Sequence, residues 1–234
     1  MTIIHTPGTI PGRAGEQQIA ILKDDTHLSR WIEAKHCLDA DLTGLIPLVL
    51  DLIPEGATVL DVGASLGDHT AAYATKAGTV HGFEPQPEPF ECLSENCEGI
   101  ANIVLHNCGL SDRPASLRVH RETNMGASHI AADGDVPVEV ITLDSLCLSP
   151  ALIKWDIEGH EVRALRGARQ TLLRCRPVMV MEVNGWGLGL AGFTIRDMLT
   201  ELMWLGYSEC ADIRTGQPFN PSDGRDGYDI VCRP

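Results

Sequence analysis

The sequence predicts an α/β protein in which a mostly parallel β-sheet is covered by helices on both faces. Three observations carry this. From residue 57 onward, short β-branched runs alternate with helix-like segments. The first of these strands runs into a glycine-bearing turn that opens a helix, Asp61-Val62-Gly63-Ala64-Ser65-Leu66-Gly67-Asp68. The final two strand-like runs are joined by a Gly/Pro/Asp loop without a helix, which makes them antiparallel neighbours.

The elements follow in order. Residues 1–20, rich in Gly and Pro, read as an irregular arm. Helical pieces follow over 31–37, with Thr26 or Ser29 as cap, and over 42–52. A turn at Pro54-Glu55-Gly56 ends this extension, which divides the chain into an N-terminal arm and helical extension over 1–56 and a sheet domain over 57–234. Strands are expected over 58–62, 79–84, 103–106, 117–121, 136–142, 152–157, 178–183, 207–213 and 228–232. Helices are expected over 68–77, with Asp68 as N-cap, and over 88–97, 161–173 and 194–205. A sheet of this kind binds ligands at the carboxyl ends of its strands.

Composition narrows the function. The chain has 234 residues, with 18 Lys plus Arg against 32 Asp plus Glu, a net charge of −14. That balance argues against nucleic acid or an anionic membrane as partner, since phosphate binding rests on Lys and Arg. No apolar run reaches the roughly 18–20 residues of a membrane helix, and the N-terminal residues do not read as a secretory leader, so a cytoplasmic location is expected. The eight cysteines are scattered with no C-x-x-C pair, which disfavours zinc and suggests reduced, buried thiols.

The strongest motif is the glycine turn. A dinucleotide site wants a second glycine where Ser65 stands, so that the backbone can approach a pyrophosphate. Asp61 just before the turn would repel a pyrophosphate but suits a ligand carrying an ammonium and a sulfonium, such as S-adenosylmethionine. Gly63 and Gly67 let the backbone pass close to that ligand, and Asp68 and His69 lie beside it. The next strand ends in Glu84-Pro85, where a carboxylate accepts both hydroxyls of a ribose. After the third strand, Ser111 and Asp112 are candidates for the adenine amino group.

These stretches, VLDVGASLGDHT (59–70), GFEPQPEPFECLSEN (82–96), GLSD (109–112), ITLDSL (141–146), IKWDIEGHEVRALRGA (153–168) and RPVMVMEVN (176–184), resemble the FkbM-type family of S-adenosylmethionine-dependent methyltransferases. The resemblance implies the Rossmann-like class I methyltransferase sandwich, a seven-stranded sheet with its last strand antiparallel. It also implies O-methylation of a small metabolite or a sugar or glycan hydroxyl. The family often has Asn at Ser65, Asn at Gln86 and an aromatic at His160.

Methyl transfer to an alcohol needs orientation and a base. Asp156, His160 and Glu182 are the candidates, all at carboxyl ends of central strands, with His160 nearest neutrality in its ordinary pKa. Lys154 is expected as a structural partner of Asp61 or Asp156. Asp156 and Glu182, with Asn184, offer oxygen ligands for a divalent metal, but the spacing does not favour one. The loop over 124–129 is a candidate cover for the acceptor, as are His27, Trp31 and His36 in the extension. The arginines at 163, 166, 169, 174 and 176 read as a solvated helix face rather than a phosphate site. Competing readings are a nicotinamide-dependent oxidoreductase, a non-catalytic nucleoside-binding module and, most weakly, a nucleic-acid methyltransferase. The oligomeric state is left open.

Overall fold

A computed structural model describes residues 1–39, 41, 43–222 and 227–234. In chain order the elements are β1 (Ile3–Gly8), β2 (Gln17–Leu22), α1 (Leu28–Lys35), α2 (Ile46–Leu52), β3 (Thr58–Val62), α3 (Asp68–Ala74), β4 (Thr79–Phe83), α4 (Pro87–Cys97), β5 (Ile103–His106), β6 (Gly109–Leu110) and β7 (Ala115–His120). They continue with β8 (His129–Ile130), β9 (Val136–Ile141), β10 (Leu152–Trp155), α5 (Glu161–Gly167), α6 (Arg169–Cys175), β11 (Val178–Asn184), α7 (Gly185–Leu190), α8 (Ile195–Trp204), β12 (Glu209–Asp212) and β13 (Gly227–Arg233).

The main sheet has seven strands in the order β12-β13-β11-β10-β3-β4-β5. β13 runs antiparallel to both its neighbours, and the other pairings are parallel. The chain winds outward from β3 to β5 and then returns to lay β10 on the other side of β3. The switch point therefore falls between β3 and β10, where open α/β sheets bind their ligands. The expected class I sandwich is the observed one. A second, four-stranded sheet, β6-β9-β7-β8, fills the connection between β5 and β10.

Period-2 alternation sorts the strands between two cores. Val59, Leu152 and Val180 pack with Leu45, Val49 and Tyr73 on one face. Leu60, Ile153, Trp155, Met179 and Met181 pack with Val162, Leu165, Met198 and Leu202 on the other. Asp61, Lys154 and Glu182 alternate onto the first face. Register then pairs Lys154 with Asp61 on one side and with Val180 on the other.

Several local expectations are corrected. Residues 1–20 are not an irregular arm: β1 and β2 form an antiparallel hairpin, whose Gly- and Pro-rich run is the connection between the strands. The cap of α1 is neither Thr26 nor Ser29. The Asp25 carboxylate accepts the backbone N–H of His27 at 3.1 Å and of Ser29 at 2.7 Å. Asp68 opens α3 without capping it, since Gly67 is the N-cap, left-handed at φ 94°. The helix expected over 161–173 breaks at Ala168 into α5 and α6; beside the break Gly167 packs on the Ser111 carbonyl, which would lie 1.9 Å from a Cβ there. Cys210 and Cys232, opposite each other on β12 and β13, form a disulfide rather than two free thiols. Among the described residues, no helix is long and apolar enough to cross a membrane.

Candidate active site

A cavity with about 830 Å3 of empty space, counted out to its mouth, opens at the carboxyl ends of β3, β4 and β10. Its floor begins at Gly63, at φ 91°, where a Cβ would lie 1.8 Å from the Asp156 carbonyl oxygen. Only glycine lets β3 turn so close to the end of β10. Ser65 follows in the left-handed region at φ 47°.

Glu84 ends β4 and is buried. Its carboxylate accepts the backbone N–H of Ser65 at 3.1 Å and of Gln86 at 2.8 Å. These bonds fix it beside the turn while each oxygen keeps a further lone pair. Burial pushes its pKa up to about 7, against the pull of the two N–H groups.

Asp156 stands on the far wall at the end of β10. Lys154 donates to it at 2.9 Å and lies 3.7 Å from Asp61, whose other oxygen accepts a hydrogen bond from the Thr70 hydroxyl at 2.6 Å. Burial alone would discharge Lys154, but Asp156 and Asp61 raise its pKa well above the ordinary value. Burial likewise works to raise Asp156, and Lys154 overcomes it, so Asp156 stays ionised. Glu182, one register step across on β11, behaves oppositely. The Asp156 charge and then burial lift it to about 10, so it holds a proton. Glu158 is raised to about 8 by burial and by Asp156, and accepts from the Asn184 amide at 3.1 Å. Carboxyl oxygens of Asp156, Glu158 and Glu182 lie within 4.8 Å of one another, close enough to share a cation.

The sequence-derived candidates separate into layers. Gly63, Ser65, Glu84, Pro85, Asp156 and His160 line the cavity. Asp61 lies behind its wall, fully buried. Gly67, Asp68 and His69 lie on the same side at the start of α3, His69 being kept neutral chiefly by burial. Asp68 is lifted to about 7 by burial. Ser111 and Asp112 line a neighbouring cavity instead, and the Ser111 hydroxyl is 2.9 Å from His160 Nε2. His160 is driven down to about 4 by burial and by Arg163, and is neutral at pH 7.

The roof is the small sheet. Met125, Gly126, Ser128, His129 and Ile130 line the cavity from the 124–130 segment. His129 meets the exposed Trp186 of α7 edge-on at 5.4 Å. His27, Trp31 and His36 do not line it. The hairpin and α1 instead share a core with Ala64, Leu66, Leu93 and Met125. Buried Asn96 binds the Ala20 N–H and donates to the Ala20 and Leu66 carbonyls. Glu158, Gln86 and Trp186 are wall or rim residues absent from the sequence-derived set. The first stands two residues after Asp156, but in a turn at φ 51° beyond the end of β10, so strand alternation did not place it in the wall. Trp186 had no sequence signal, because its position depends on β8 folding over α7.

Comparison with known proteins agrees with this architecture. The sequence pattern of the methyltransferase FkbM domain matches residues 61–211. Hexuronic acid methyltransferase AglP of Haloferax volcanii is 30% identical over 151 residues, which are 60% of this chain and 63% of that protein. The crystal structure of methyltransferase FkbM from Methylobacillus flagellatus KT superposes with a TM-score of 0.52 at 17% identity, covering 83% of this chain and 52% of that one. Precorrin-6y C5,15-methyltransferase from Geobacter metallireducens GS-15 gives 0.50 at 11% identity over 92% and 98% of the two chains. The chain thus spans less than two thirds of the first two relatives, and the structural likenesses show the fold. With its strand order, its glycine turn and a domain match covering most of the sheet, the chain belongs to the family of the methyltransferase FkbM domain.

Proposed function

We propose that this protein methylates a hydroxyl of a sugar, using S-adenosylmethionine, and that the sugar is of the hexuronic acid class. The observation that carries the reading is one cavity walled by Glu84, Asp156 and Glu158 with no Lys or Arg in its lining. Ionised Asp156 in a lining without Lys or Arg suits a cationic ligand and disfavours the pyrophosphate of a nicotinamide cofactor. The residues present fit the methyl donor. Glu84 keeps lone pairs for two ribose hydroxyls, and Phe83, Leu110 and Val140 supply apolar surface for a nucleoside base. When bound, S-adenosylmethionine supplies an electrophilic methyl carbon whose bond to sulfur breaks as the acceptor oxygen bonds to it, leaving a neutral thioether.

The chain's own contribution is orientation and proton acceptance. Asp156 is the ionised carboxylate on the wall, so it accepts the hydrogen bond of the acceptor hydroxyl and then its proton. In the Asp156–Glu182 pair the Lys154 contact favours the negative charge on Asp156, which makes Asp156 the better base with Glu182 behind it. Asp61 acts through Lys154 rather than by touching the ligand. Lys154 supplies positive charge beside Asp156 and Asp61, and the reading invokes no divalent cation. The sugar acceptor is supported by the Haloferax relative, named for hexuronic acid methylation, and by the His129–Trp186 rim, since aromatic faces pack against sugar rings.

The test is Asp156→Asn. Methyl transfer to a uronic glycoside is expected to fall by about a hundredfold or more in kcat, with affinity for S-adenosylhomocysteine kept within a few-fold and no effect of EDTA on the wild type. Wild-type kcat in the variant would remove Asp156 from the chemistry. Loss of activity to EDTA, restored by magnesium, would reassign the three carboxylates to a metal.

A further inference from the structure

A second cavity, with about 1100 Å3 of empty space out to its mouth, lies against the first. His160 and Ile130 line both, so the two share a wall. Their charges are opposite. The first presents three carboxyl groups and no Lys or Arg. The second presents Arg113, Arg118 and Arg163 against Asp112 alone. In a chain with 32 acidic and 18 basic groups this is a local reversal of sign.

The arginines are also available. Arg118 is held in place by donating from Nε to the Gly134 carbonyl and from Nη2 to the Asp135 carbonyl, which leaves Nη1. Arg163 rests on the Phe193 ring and reaches Asp112 only at 3.8 Å. Arg113 is exposed and makes no hydrogen bond or ion pair among the described residues. The other members of the arginine run are engaged, Arg166 and Arg169 by Glu201 at 2.6 and 2.7 Å.

We infer that this second cavity is the subsite for the carboxylate of the acceptor sugar, held by Arg113, Arg118 and Arg163. The inference rests on the reading of the first cavity as the methyl-donor site. An acceptor must place its hydroxyl beside Asp156, and the ionised Asp156 carboxylate, with no Lys or Arg in that lining, repels an anionic substituent of the same molecule. The nearest favourable place for that substituent is across the shared wall. Guanidinium forks match a carboxylate in geometry as well as charge. The cationic donor and the acceptor's carboxylate are thereby placed on opposite sides of His160, with the acceptor hydroxyl on the donor's side.

The experiment is calorimetric titration of the intact protein with p-nitrophenyl β-D-glucuronide and with the matching glucoside, with and without S-adenosylhomocysteine. The wild type is expected to bind the glucuronide at least tenfold more tightly, the preference shrinking as salt rises. Arg113→Gln and the Arg113→Gln/Arg163→Gln pair are expected to bring that preference towards one, with melting temperature as the folding control. Exposed Arg113 makes the single variant safe for folding. No preference in the wild type, or an equal preference in the variants, overturns the proposal. Inorganic phosphate bound tightly with no glucuronide preference would mark a general anion site and overturn the sugar assignment. S-adenosylhomocysteine that binds while the glucuronide shows no preference sinks the arginine subsite and leaves the donor reading standing. The reverse result keeps the subsite and sinks the donor reading.

Discussion

Gly63 is held by two constraints at once, a φ of 91° and a neighbouring carbonyl 1.8 Å from where a Cβ would be. Replacement by alanine forces β3 and β10 apart at the switch point. The left-handed strain alone costs about 1–3 kcal/mol, and the displacement moves both Glu84's partner Ser65 and the Asp156 wall. Gly63→Ala is therefore expected to lower the melting temperature by several degrees and to weaken S-adenosylhomocysteine at least tenfold in calorimetry; unchanged affinity would mean the turn does not shape the site. This constraint was legible as a motif, since a strand, a glycine turn and a helix imply close backbone approach. Which backbone approaches was not, because the Asp156 carbonyl is 93 residues away in sequence. The acids show the same limit. Asp156 and Glu182 look equivalent in sequence, but contact with Lys154 ionises one and the resulting charge keeps the proton on the other.

At the scale of elements, the N-terminal hairpin and α1 brace the site without lining it. Asp25 is the joint. Besides capping α1, it accepts the Met125 N–H at 3.3 Å, which ties the extension to the roof segment. Asp25→Ala removes the acceptor of the His27, Ser29 and Met125 N–H groups, each bond worth about 0.5–1.5 kcal/mol, and loosens the 124–130 segment. Its expected signature is a raised acceptor KM with kcat changed much less; a variant that melts earlier with unaltered KM would make Asp25 purely structural. Deleting 1–40 would be a poorer test, because Leu66 and Leu93 would lose the core partners that Ile19 and Ile32 provide. The sheet strands were readable from alternation and β-branched runs, since those patterns are local. The hairpin was hidden because Pro7, Pro11 and the nearby glycines read as irregular chain, whereas Pro7 and Gly8 are paired residues of β1 and Pro11, Gly12 and Gly15 form the connection to β2. The break between α5 and α6 was hidden because the apolar spacing of Val162, Leu165, Ala168 and Leu172 runs straight through it.

Across the whole molecule, burial raises the proton affinity of several carboxyls in and around the cavity. Glu84, Asp68 and Glu161 have pKa values raised to about 7, and Glu158 to about 8, burial being the main cause in each. Unfolded, these groups release their protons near the ordinary value of about 4–4.5. Between those limits the folded protein binds more protons than the unfolded chain. The stability they contribute is therefore full below the unfolded pKa and is lost as pH rises through about 7–8. The ligand-free protein is expected to melt at a lower temperature at pH 8.5 than at pH 6, by differential scanning fluorimetry. A melting temperature that rises over that interval would show that these carboxyls are already ionised at pH 6.

By itself the sequence determined the order of the main-sheet strands, the glycine turn and the acids at strand ends, because each is written in periodicity, turn chemistry or short spacing. Tertiary structure decided which acids face a ligand and which lie behind the wall. It also decided which carboxyl keeps its proton, and that a basic cavity adjoins an acidic one. Those outcomes depend on burial and on charges brought together from distant segments. Arg113, Arg118 and Arg163 have no common pattern along the chain, and meet only because β7 folds beside the start of α5.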